Sequence, residues 1–100
     1  MYYEVVLLLK TNKERNKELQ LTKDILLNID KEKLLNINYI GNRKLAYKIY
    51  KENYACYVIL TIVKDINAIK TIKKNITNNS GKVLRYIVLK VSKIDKNKIY

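Results

Sequence analysis

From Tyr3 to Lys10 the chain is apolar in both of its alternating sets, Tyr3, Val5, Leu7 and Leu9 in one and Val6 and Leu8 in the other. Apolarity on both faces marks a strand in the middle of a sheet, covered on both sides. Thr11-Asn12-Lys13-Glu14 has the spacing of a capping box, in which Thr11 accepts from the backbone and Glu14 reaches back. A helix is predicted from about Asn12 to Asn28. Leu19, Thr22, Ile25, Leu26 and Ile29 lie near one of its faces, and Lys13, Lys17, Glu18 and Asp24 lie elsewhere. Leu35 to Lys51 reads as a long second strand, with a bulge or bend at Gly41. Glu52-Asn53 is the expected hairpin turn, and Tyr54 to Val63, nearly all apolar and β-branched, is a second central strand. Asp65 is placed to cap a second helix, whose stripe is Ile66, Ile69, Ile72 and Ile76, with Lys70, Lys73 and Lys74 outside it. Asn78-Asn79-Ser80-Gly81 ends that helix, Gly81 supplying a left-handed residue. Lys82 to Ser92 is the fourth strand. Residues 93–100, with Lys93, Lys96 and Lys98, read as a short basic tail behind a domain spanning 1–92.

The order β-α-β-β-α-β predicts an α+β, ferredoxin-like fold. Four antiparallel strands form one sheet, both helices pack on one face, and the first and third strands lie in the centre. With the helices on one side, the other side meets water. Yet the central strands are apolar there as well, and a contiguous apolar patch of this kind marks an interaction surface. The expectation is that a protein partner covers it. The other candidates for a cover are the long second strand and the tail.

Charge sharpens the picture. Lys and Arg total 21 against 9 Asp and Glu, a net charge of +12. Residues 1–30 hold five of each sign, so residues 31–100 carry the whole excess. That asymmetry points to a polyanion. Ile, Lys and Asn make up 44 of the 100 residues, so AT-rich coding contributes to the lysine count. The longest apolar run, Val5 to Leu9, is too short to cross a membrane. No basic and apolar leader precedes it, and none is expected.

Composition also removes most chemistry. The chain has no histidine and one cysteine, which excludes a His-based triad, an internal disulfide and a thiolate zinc site. Cys56 sits among apolar neighbours and reads as inert packing. Gly41 and Gly81 are isolated, so there is no glycine loop to cradle a phosphate. No catalytic residue, metal ligand, cofactor or small-molecule substrate is predicted. The remaining constellation is basic and aromatic: Arg43, Tyr47 and Lys51 alternate with Lys44, Lys48 and Tyr50 along the second strand. Arginine and lysine grip phosphates, and tyrosine stacks on unpaired bases. An RNA recognition motif shares the topology, but its basic-glycine opening is missing at Asn53-Tyr54-Ala55-Cys56-Tyr57-Val58.

The segment Gly41-Asn42-Arg43-Lys44-Leu45-Ala46-Tyr47 closely resembles the signature of the bacterial-type small-subunit ribosomal protein six family. Tyr3-Glu4, Tyr57-Val58 and Val83-Leu84-Arg85-Tyr86 fall at family-like positions, so the resemblance spans nearly the whole chain. It implies a ferredoxin-like structural protein that binds the central domain of small-subunit (16S-type) ribosomal RNA together with small-subunit ribosomal protein eighteen. It implies no catalysed reaction and no membrane association. The setting would be a ribosome of a plastid, a mitochondrion or the bacterial cytoplasm. On that reading Arg43, Lys44, Lys48 and Arg85 are the candidate RNA contacts, and Tyr47 and Tyr50 contact either the RNA or the partner. The competing expectation is a free-standing regulator that binds single-stranded RNA on the same topology.

Overall fold

The computed structural model describes residues 2–11 and 15–91. The chain runs β1 (Tyr2–Lys10), α1 (Arg15–Ile25), a single 3-10 turn (Lys31–Lys33), β2 (Leu34–Ile49), β3 (Glu52–Val63), α2 (Ile66–Asn78) and β4 (Val83–Val91). All pairings are antiparallel, and the sheet order is β2-β3-β1-β4. The strands that are apolar on both faces, β1 and β3, are the central pair, as their pattern predicts. Residues 12–14 of the expected capping box and the tail at 93–100 lie outside the described residues.

One face of the sheet carries the main core. Val5, Leu7 and Leu9 of β1 lie opposite Leu60, Val58 and Cys56 of β3. Leu21 and Ile25 of α1 and Ala68, Ile69, Ile72 and Ile76 of α2 close over them. Asp65 caps α2 as predicted, its carboxylate accepting from the Asn67 amide at 2.9 Å. Gly81 takes the left-handed conformation, with φ of 89°, between α2 and β4.

Four sequence expectations change. The hairpin turn is Tyr50-Lys51, not Glu52-Asn53, and both turn residues have positive φ (46° and 68°). That pair of angles follows the right-handed twist of the flanking strands. Secondly, α1 stops at Ile25, and Asn28 then reverses the chain with φ of 68°, which asparagine tolerates. Thirdly, the buried face of α1 is rotated from the expected one: Leu19 is 38% exposed, while Leu21 and Glu18 are buried. Lastly, Ile66 is 62% exposed, so the α2 stripe begins at Ala68 and Ile69.

Three polar ties hold the layers in register. The buried Asn75 side chain of α2 donates to the carbonyls of Ile25 (2.8 Å) and Leu27 (2.7 Å), satisfying the end of α1. Lys33 pairs with Asp65 where β2 and α2 begin. That pair holds the Asp65 carboxyl below the usual carboxylate range and raises Lys33 above the usual lysine value. The third tie joins α1 to β2, where the Tyr39 hydroxyl donates to the Glu18 carboxylate. Burial, then contact with Cys56 and with Glu18, pushes the Tyr39 phenol well above its ordinary value, so it stays protonated as a donor. Replacing Tyr39 with Phe is expected to cost about 1–3 kcal/mol, because it removes a donor from a buried carboxyl group. Chemical denaturation of Tyr39→Phe beside wild type measures it.

Candidate nucleic-acid and partner interface

The basic strand predicted as the site is the distal half of β2, and a bulge sets its direction. Tyr39 lies opposite Val58 and Gly41 opposite Tyr57, so Ile40 is the extra residue. Gly41 has φ of 95°. A side chain there would meet nothing nearer than the Tyr39 ring at 3.9 Å, so the backbone angle, not space, asks for glycine. The extra residue changes which residues of β2 face each side. Before it, Tyr39 packs on the helix side, and after it Leu45 and Ile49 pack on the other side.

That helix-free side carries a second, smaller cluster of Leu8, Ala55 and Leu84, with Val6, Leu45, Ile49 and Tyr57 packed against it. The chain's own second strand therefore covers part of the apolar surface that the sequence reserved for a partner. The rest stays open. The registers align Ile87, Val6 and Ile59 in one row across β4, β1 and β3, and Ile87 and Leu89 remain exposed.

Arg43, Lys44 and Lys48 are all exposed. Arg43 lies opposite Ala55, which in turn lies opposite Lys10, so Arg43 borders the helix-free cluster. Its Nη1 donates to the Asn42 carbonyl at 2.9 Å, which uses one of five donors and leaves the rest free. Lys44 lies opposite Tyr54, and beyond it the pairing jumps to Ile49 opposite Glu52. The expected two-face alternation stops at that jump, and Lys51 belongs to the turn. Tyr47 and Tyr50 are 85% and 81% exposed. These five candidates lie on one hairpin.

Arg85 does not. It is exposed on the far edge strand, opposite Leu8, in the row that runs Gly41, Tyr57, Leu8, Arg85. Three strand spacings of about 4.8 Å put it roughly 14 Å from β2. Both arginines sit at the hairpin end of the sheet, where Lys10 and Lys82 end β1 and precede β4. Sequence reasoning missed these two lysines. Only strand register brings them to the arginines. Glu52 offsets part of the charge by pairing with Lys10 at 3.8 Å.

Among the described residues no cluster of His, Cys, Asp or Glu could hold a metal ion, and no helix is long and apolar enough to cross a membrane. Cys56 is fully buried.

Comparison with known proteins agrees with this architecture. A solved structure titled 30S ribosomal protein S6 from Thermotoga maritima superposes with a TM-score of 0.75 at 18% identity, over 88% of this chain and 84% of that one. The small ribosomal subunit protein bS6 of Alkaliphilus metalliredigens (strain QYMF) is 29% identical over 90 residues, 89% of this chain and 95% of its own length. The bS6 protein of Sulfurovum sp. (strain NBC37-1) is 32% identical over 94 residues, 91% of this chain and 72% of its own. Residues 2–90 match the family described as ribosomal protein S6, and the chain belongs to that family of small-subunit ribosomal proteins.

Proposed function

We propose that the chain binds the central domain of small-subunit ribosomal RNA as one half of a pair with small-subunit ribosomal protein eighteen, in a structural role without catalysis. The observation that carries this reading is the layout of the helix-free face. Along its β4 edge Ile87 and Leu89 stay in water, and its hairpin end is bordered by Arg43 and Arg85. A protein seated on the apolar row would join its own surface to that basic border. The pair would then present one composite cationic surface, and release of counterions from the RNA would drive docking.

Partner dependence is the expected result. Labelled central-domain RNA, titrated with this chain alone and then with protein eighteen present, should bind far more tightly in the second case. Equal affinity in both titrations would favour a free-standing RNA binder instead.

A further inference from the structure

At the hairpin end of the sheet a groove of about 680 Å³ opens between the β2–β3 turn and the start of β4. Its lining includes Leu84, two tyrosines from separate elements (Tyr50 and Tyr86), Arg85, Lys10 and Glu52. Lys10 and Glu52 pair with each other. Among the described residues, the side chains of Arg85, Tyr50 and Tyr86 take part in no hydrogen bond or ion pair. The groove wraps the edge of β4 beside the end of α2, with Arg85 opposite Leu8 on one face of the sheet and Tyr86 opposite Leu7 on the other, and it offers two rings that remain exposed and one cation not already neutralised.

We propose that this groove holds an unpaired RNA nucleotide, with its base against the tyrosine rings and its phosphate against Arg85. The assignment deepens the ribosomal-RNA reading above and rests on it. Duplex RNA keeps its bases stacked inside the helix and offers no free face to an aromatic ring, whereas loops and bulges do. Every base has such a face, so ring stacking tolerates sequence while selecting for unpaired strand. The charge agrees: with Lys10 and Glu52 paired, Arg85 leaves the groove net positive, in a chain whose whole +12 lies in residues 31–100.

The test uses the full chain paired with protein eighteen. Two probes are titrated: a single-stranded RNA of mixed sequence, about ten nucleotides long, and a blunt duplex of the same length. Tyr50→Leu and Tyr86→Leu together should weaken single-strand binding about tenfold or more and leave duplex binding unchanged. The corresponding Phe replacements keep the ring and should bind as wild type. Arg85→Gln should lower the slope of log affinity against log salt by about one unit. Wild-type single-strand affinity in the double Leu variant would overturn the assignment. So would a double Leu variant that loses protein eighteen and keeps RNA, since a protein segment would then occupy the groove. Co-sedimentation of the wild-type chain with small subunits through a salt wash reports the broader reading separately. If it holds while the Leu variant binds single strands normally, the groove assignment alone falls.

Discussion

Ile69→Asp is expected to unfold the protein, and Ile66→Asp, one turn earlier, is expected to leave it folded. The sequence places both on one apolar stripe, but the structure separates them. Ile69 is buried in the cluster with Ile72, Leu60 and Ile62, whereas Ile66 begins α2 in solvent. Removing the buried side chain loses about 2 kcal/mol of apolar burial. A carboxylate with no partner there adds several kcal/mol more. The sum is comparable with the roughly 5–15 kcal/mol that holds a small domain together. At Ile66 the new carboxylate stays hydrated. It meets the positive end of the helix dipole and the negative charge of the Asp65 cap, and the two largely offset. A change within about 0.5 kcal/mol is expected. Thermal unfolding of both variants by circular dichroism decides the matter. Two equal melting curves would mean that α2 packs by a different face.

What separates those two isoleucines also explains which parts of the molecule could be read from the chain. Period-two apolarity in β1 and β3 and the stripe from Ile69 to Ile76 are local signals, strong enough to give the order and the central strands. The face of α1 was not legible. Glu18 reads as a solvent residue until the hydroxyl of Tyr39, distant in sequence, supplies a partner for its buried carboxylate. Asn75 is a similar case, a polar residue on a core face whose acceptors are the carbonyls of Ile25 and Leu27, at and just beyond the end of α1. The turn was misplaced because Tyr50-Lys51 has none of the residues that favour positive φ. Pairing of Ile49 with Glu52 overrides that local preference. At the candidate interface the basic hairpin was legible as a run of residue types. The approach of Arg85, Lys10 and Lys82 to the same end was not, because it depends on register between strands far apart in sequence.

The basic hairpin should announce itself through salt. If the complex neutralises about five phosphates, raising salt from about 50 to about 200 mM should weaken RNA binding roughly 500-fold. Arg43, Lys44 and Lys48 are exposed and sit on one element, so replacing all three with Gln should leave the fold intact. Without these three contacts the same salt step should cost only roughly tenfold. Affinity at low salt should fall with it. Arg43→Lys separates charge from geometry. Its guanidinium has donors to spare beyond the one given to Asn42, and these can grip a phosphate with two parallel bonds. Lysine keeps the charge and loses the fork. Arg43→Lys should therefore weaken binding while the salt slope stays at its wild-type value. Lysines that only keep an edge strand from pairing with other chains would give a different result, since their loss would not touch the slope. A triple variant with wild-type affinity and wild-type slope would move the phosphate contacts off this hairpin, to the Arg85 end of the sheet or to the partner protein.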